Sequence, residues 1–264
     1  MRVVCRCRPV VLVAALLMAA LAVTVLWVGG RPPDQTVTHP ARSNAVSDLL
    51  ADSSSGWTSG NWSGYAVTAG GYTQVSASWT VPTPAATPTP TYSGIWIGID
   101  GFDNNSLIQI GTEHDATASG AQYYAWWEVL PSPEARASSL AVHGGDRVSA
   151  SISRAASGSW TLAMTNQTTG RSFATTQSYG GPLASAEWIV EAPNVGNQPT
   201  SLAHYGQVPF SQVDANGASP NLTRAEGGVM VQNGQQVSTP SNPGLSGASF
   251  NMAYGAMQPA SPMF

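Results

Sequence analysis

The sequence predicts an all-β protein built as an antiparallel β-sandwich. Short runs alternate apolar and polar residues, as in Val75-x-Ala77-x-Trp79-x-Val81, the period of a half-buried strand. Turn signals rich in Gly, Asn and Asp separate the runs, for example His143-Gly-Gly-Asp146 and Asn166-Gln-Thr-Thr-Gly170. No stretch after Trp57 competes as a helix.

The chain opens with Arg2, Arg6 and Arg8, then an apolar run of 19 residues from Val10 to Val28. Residues 1–30 therefore read as an export signal, either cleaved or, given the length of the run and the lack of a clean small-residue cleavage site, retained as a signal anchor. Residues 31–56, rich in Pro, Ser, Thr and Asp, read as a linker or short pro-segment with no fold of its own. The sandwich occupies 57–255 and a tail 256–264. Further strands are predicted at 93–99, 106–111, 123–129, 147–153, 160–166, 171–177, 186–191, 229–232 and 249–254. The Pro-rich stretch 82–90 is read as an extended surface loop.

Composition removes several function classes. The chain contains no lysine, which excludes phosphate-binding loops of the Walker type, Schiff-base chemistry and Ser-Lys dyads. From Trp57 onward five arginines face eleven acids, a formal charge of −6, so nucleic acid is not an expected partner. A surface dominated by Ser, Thr, Asn, Gln and Gly changes little in charge on acidification, which suits an acid medium. Both cysteines, Cys5 and Cys7, precede the apolar run, so the exported part has neither disulfides nor a cysteine nucleophile. There is no His-Glu-x-x-His and no Gly-x-Ser-x-Gly, and the four histidines, His39, His114, His143 and His204, read as structural in the absence of a motif linking them to a nucleophile.

What remains are polar residues centred in apolar strands: Gln109 in Leu107-Ile-Gln-Ile-Gly111, Glu128 in Tyr124-Ala-Trp-Trp-Glu128, and Glu187 and Glu191 in Ala186-Glu-Trp-Ile-Val-Glu191. An acid in such a strand is paired, solvated in a cleft or functional. Glu187 and Glu191 share one strand face but stand roughly 13 Å apart, so only one can serve a given reacting atom.

From Asn61-Trp-Ser-Gly-Tyr65 to about Phe210 the chain resembles the glutamic peptidase (eqolisin) family. The resemblance rests on Asn61-Trp-x-Gly64, Trp96-Ile-Gly-Ile-Asp100-Gly, Gln109-x-Gly111, Tyr124-Ala-Trp126-Trp-Glu128-x-x-Pro131, Asn166-x-Thr-Thr-Gly170, Ala186-Glu187-Trp-Ile-Val-Glu191 and Val208-Pro-Phe210, in that order. It implies a lectin-like, concanavalin-type jelly roll carrying a catalytic dyad at Gln109 and Glu187, with Glu191 in reserve as the base. It also implies site-lining roles for Trp96, Asp100, Glu113, Trp126 and Glu128. The activity implied is a secreted, acid-acting endopeptidase on polypeptide substrates, monomeric and needing no metal or organic cofactor. In such a dyad the glutamate takes a proton from water as it attacks the scissile carbonyl, and the glutamine amide donates to the developing oxyanion at any pH. Ile110 and Val129 depart from the fungal pattern, and Asp100 before Gly101 also fits a turn.

Two other readings stand beside this one. A glycosidase or sugar-binding sandwich would use Glu128 and Glu187 as its carboxylate pair, about 5 to 9 Å apart. A surface domain could keep the fold without activity.

Overall fold

The computed structural model describes residues 36–43 and 56–263, so the apolar run assigned to export lies outside the described residues. Among the described residues no helix is long and apolar enough to cross a membrane, and the one helical turn is the 3-10 segment Arg224–Glu226.

The main sheet is a single hydrogen-bonded path that folds over on itself. One half runs Trp62–Val67, Ala186–Glu191, Gly94–Ile99, Ile108–Thr117, Gly120–Val129 and Ala135–Arg136. The other runs Arg171–Gln177, Trp160–Asn166, Arg147–Arg154, Gln74–Thr80, Gln207–Ala215, Phe250–Tyr254, Gln235–Pro240 and Gly227–Gln232, which joins Trp62–Val67. These neighbours pair antiparallel; Trp57–Ser59 adds to Gly227–Gln232 as a parallel strand. The expected sandwich is therefore the observed one.

Strand parity explains the core. Ile95, Ile97, Ile99, Ile108, Ile110, Ala186, Trp188 and Val190 alternate onto the inner face of the first half. They meet Val75, Ala77, Trp79, Val148, Ile152, Leu162, Met164 and Phe210 from the second. Burying this many large apolar side chains, each contributing about 1.5–3 kcal/mol, is what holds the halves together. The opposite face of the first half carries a smaller apolar cluster, Trp62, Trp96, Leu107, Trp126 and Ile189, and with it the acids and the glutamine singled out above.

Strands at 62–67, 207–215 and 235–240 are absent from the sequence expectation; Pro209 and Pro240 lie within two of them and the first holds Gly64, all residues that weaken a strand signal. A second difference matters more for function. Within the segment read as a spacer, Val37–Thr38 pairs antiparallel with Asn194–Val195, and Gly196 donates to the Thr36 carbonyl at 2.9 Å. The chain then crosses the second face of the first half as far as Ser43.

Candidate active site

Cross-strand register places the polar residues in rows. Glu187, Gly98, Gln109 and Glu128 lie opposite one another on successive strands, and so do Glu191, Gly94, Glu113 and Tyr124. Between these rows lies that of Ile189, Trp96, Gly111 and Trp126. All side chains in the three rows share one face, because paired residues face the same way and every second residue along a strand repeats.

Two glycines decide what meets across the rows. A Cβ on Gly94 would lie 3.0 Å from the Glu113 Oε2 and 3.0 Å from the His39 Cε1, so the absent side chain is the space the His39 imidazole fills. A Cβ on Gly98 would lie 2.8 Å from Trp96 Cζ3 and 3.0 Å from Leu107 Cδ1. The Trp96 ring and Leu107 thus occupy the gap between Gln109 and Glu187, whose strands stand about 10 Å apart.

His39 is the point on which the site converges. Its ring is fully buried and stacks on Trp126, with centroids 3.5 Å apart and planes within 4°. Its Nδ1 lies 2.9 Å from Glu191 Oε2, and its Nε2 lies 3.2 Å from Glu134 Oε2 and 3.8 Å from Glu113 Oε2. Its backbone N–H donates to Glu128 Oε2 at 3.1 Å. Its carbonyl accepts from Gln109 Nε2 at 2.8 Å, and the same amide nitrogen donates to Glu128 Oε2 at 2.7 Å. One residue is therefore gripped by main chain and side chain at once.

Glu191 is held by three further donors. Trp96 Nε1 reaches its Oε2 at 2.8 Å, Trp62 Nε1 its Oε1 at 3.2 Å, and Asn61 Nδ2 its Oε1 at 3.4 Å. These N–H groups favour the ionised form, while burial disfavours it; burial wins, leaving the carboxyl above its ordinary range although His39, Trp96 and Trp62 all pull it down. Burial pushes Glu128 further, to about 8, against the opposing charge of His39. Glu113 rises well above its ordinary range through burial and then through its neighbour Asp115. For His39 burial alone would lower the pKa, but Glu191, Glu134 and Glu113 outweigh it and the ring is held protonated well above its ordinary value.

Glu187 lies elsewhere. Neither of its buried carboxyl oxygens makes a hydrogen bond of good geometry, and burial, reinforced by the charge of Asp100, raises its pKa well above the ordinary value, an effect the Ser185 hydroxyl offsets only in part. Asp100 has a positive φ of 72° and brackets the 179–185 loop. It accepts from Tyr179 Oη at 2.6 Å, Leu183 N–H at 2.9 Å and Ala184 N–H at 2.7 Å. The turn-shaping reading of Asp100 thus has a concrete basis in loop attachment.

Of the residues expected in the site, Gln109, Glu113, Trp126 and Glu128 gather around His39 directly, and Trp96 does so by holding Glu191; Glu187 and Asp100 stand apart from them. Sequence reasoning passed over His39, Glu134 and, as functional groups, Asn61 and Trp62. The last two opened the motif series, so a signal existed; His39 carried none, because it sits in a segment without periodicity. Among the described residues no group of three or more His, Cys, Asp and Glu has a geometry that would hold a metal ion.

Comparison with known proteins gives a consistent answer. The family model described as Peptidase A4 matches residues 60–254. Aspergillopepsin-2 of Aspergillus niger is 26% identical over 198 residues, 65% of this chain and 70% of that protein. Scytalido-glutamic peptidase bound to a transition state analog inhibitor superposes with a TM-score of 0.64 at 22% identity, covering 74% of this chain and 98% of its own. Aspergilloglutamic peptidase from Aspergillus niger does so at 0.54 and 26% identity, covering 62% and 99%.

Proposed function

The chain belongs to the Peptidase A4 family and is a glutamic endopeptidase, and from that premise we propose that Gln109 and Glu191 form its catalytic dyad. The observation carrying this pairing is the shared grip on His39: Gln109 Nε2 donates to a peptide carbonyl oxygen at 2.8 Å while Glu191 sits at 2.9 Å from the side chain of the same residue. A scissile carbonyl placed where the His39 carbonyl lies would meet Gln109 as oxyanion donor and leave Glu191 facing the water that attacks it. We prefer Glu191 to Glu187, the base first expected, because the Trp96 ring and Leu107 lie over Gly98, the residue between Gln109 and Glu187.

Electrostatics favours Glu191 over Glu128 as well. Burial raises both carboxyls, three N–H donors counter the rise at Glu191, and Glu128 goes to about 8. Glu128, with its pKa at about 8, is neutral in acid and instead orients the Gln109 amide and receives the N–H of the substrate residue. In the reaction, the Glu191 carboxylate removes a proton from water as the water oxygen bonds to the carbonyl carbon. Gln109 stabilises the oxyanion, and Glu191 then returns the proton to the leaving nitrogen as the C–N bond breaks.

The substrates proposed are polypeptides, bound across the second face of the first half-sheet as residues 36–43 are. The N-terminal arginines and apolar run support export, and the low charge of the domain supports work in an acid medium.

The deciding experiment compares hydrolysis of a denatured protein at acid pH by the wild type, Glu191→Gln, Glu187→Gln and Gln109→Ala. Glu191→Gln should lose about 10²–10⁴ in kcat and Gln109→Ala about 10²–10³, with Glu187→Gln close to wild type. Full activity in Glu191→Gln would remove it as the base.

A further inference from the structure

We propose that the loop at 101–103 is a specificity subsite for arginine at the third residue after the scissile bond, with Asp103 as the residue that selects its charge. The inference rests on the dyad reading above, which sets the scissile carbonyl where the His39 carbonyl lies, and it deepens that reading by naming a preferred substrate.

Residues 40–43 continue from the His39 carbonyl along the second face and mark where the leaving half of a substrate would run. Trp62 Nε1 donates to the Pro40 carbonyl at 3.1 Å and Asn61 Nδ2 to the Ala41 carbonyl at 3.3 Å. The Arg42 N–H donates to the Gly101 carbonyl at 3.0 Å, and the Ser43 N–H to Asn61 Oδ1 at 2.8 Å. All four contacts are made to the main chain of residues 40–43. They fix a register without choosing side chains, and they bring the third side chain over the 101–103 loop.

That side chain is the one the loop reads. Arg42 Nε donates to the Phe102 carbonyl at 2.9 Å, Nη1 to the Thr58 carbonyl at 3.3 Å and Nη2 to Asp103 Oδ1 at 2.8 Å. The guanidinium carbon lies 4.1 Å over the Phe102 ring. Only 13% of the Arg42 side chain stays exposed, so the pocket encloses it. Each guanidinium nitrogen has its own acceptor while the plane covers a ring, and an ammonium group, a point charge without a plane, cannot meet all of these together. The walls are fastened by contacts that do not involve Arg42. Phe102 stands edge-on to Trp57, with centroids 5.4 Å apart and planes at 81°, and Trp57 Nε1 donates to the Glu226 carbonyl at 2.8 Å. Thr58 lies on the strand Trp57–Ser59, paired with Gly227–Gln232. Asp103 remains 71% exposed, so solvent screens its attraction. It sets the sign of the charge accepted, and the ring and carbonyls supply the fit to arginine.

The test uses the full chain and unstructured peptides with one cut site, located by mass spectrometry. Arginine, lysine, alanine or glutamate is placed in turn at the second to fifth residue after the cut. With arginine at the third residue, wild-type kcat/KM should exceed that with alanine by roughly 10-fold, with lysine between them and glutamate lowest. Asp103→Asn should shrink the arginine-to-alanine ratio by about 3-fold, and Asp103→Arg should favour glutamate over arginine. Each ratio compares two peptides on one protein, so differences among variants in the fraction of active, open cleft cancel. Equal rates for all four residues at every position, with cutting intact, would overturn the subsite and leave the dyad standing. A preference at the third residue that both Asp103 variants leave unchanged would overturn the role of Asp103. An Asp103-dependent preference at a different residue would overturn the register, and with it the placement of the scissile carbonyl on which the dyad rests. If the wild type cuts none of the peptides, calorimetry makes the same comparison by binding. Arginine favoured over alanine by roughly 10-fold would then uphold the subsite and count against the dyad, and equal binding would overturn the subsite.

Discussion

Gln109 and Glu187 face the same glycine, Gly98, from strands on either side of it, and the Trp96 ring keeps them apart. The same Trp96 turns its Nε1 to Glu191 at 2.8 Å, so one side chain both separates the first acid of the Ala186–Glu191 strand from the glutamine and secures the last acid of that strand at the site.

Trp96→Phe removes that donor while keeping most of the ring. Without it the Glu191 carboxylate loses a charge-assisted hydrogen bond of about 1.5–3 kcal/mol. The acid limb of kcat/KM should therefore move to higher pH by about 1–2 units, read from pH–rate profiles of the two proteins. An unmoved limb with normal folding would exclude Trp96 as a support of the base.

Glu187→Gln should leave activity within a few-fold of wild type and raise stability at neutral pH. The folded pKa of Glu187 lies well above that of the unfolded chain, so the folded state holds a proton that the unfolded state has lost. Stability then falls as pH rises from about 4.5 toward the folded pKa, and an amide in place of the carboxyl abolishes that slope. Urea denaturation at pH 4.5 and pH 8 measures it; an unchanged difference between the two pH values would show Glu187 to be solvated.

The whole domain should be most stable near pH 4–5. Glu113, Glu128 and Glu187 all have raised pKa values, so each destabilises the fold as pH rises from about 4.5. His39 acts in the same sense, its contribution being complete below about 6.5 and lost as pH rises through its raised value. His114 opposes them on the acid side. It is buried, its Nε2 lies 2.8 Å from a Thr112 hydroxyl that accepts from Trp79, and burial lowers its pKa to about 3. Its contribution is lost as pH falls from about 6.5 to 3. Thermal melts from pH 3 to pH 9 should show the maximum, and Glu128→Gln should flatten its alkaline side.

Asp100→Ala should loosen the 179–185 loop without touching the dyad. Three hydrogen bonds, from Tyr179 Oη, Leu183 N–H and Ala184 N–H, lose their acceptor at a buried position. A cost of about 3 kcal/mol or more follows, since each orphaned donor costs about 1–3 kcal/mol. Faster amide exchange at Leu183 and Ala184, with kcat retained, is the expected signature.

Alternation made most strands legible. Trp160–Asn166, Arg171–Gln177 and Ala186–Glu191 fall where the sequence placed them, because one face of each is far more apolar than the other or because the run is bounded by turn residues. Trp62–Val67 is buried on both faces and shows no alternation to read. Gln109, Glu128 and Glu113 could be singled out because charge and amide groups in apolar strands are costly unless used.

The order of strands, their alternation and the polar residues within them were determined by the sequence, since side-chain period and desolvation cost act locally. Parity also put Glu187 and Glu191 on one face, but it could not choose between them. The tertiary structure sets the Trp96 ring in the gap over Gly98 and the imidazole of His39 in the gap over Gly94 beside Glu191, and the preference proposed above rests on that packing. Both gaps lie over glycines on a neighbouring strand, and the histidine arrives from a segment whose own sequence has no period. Contacts of that kind exist only once distant parts of the chain are packed together.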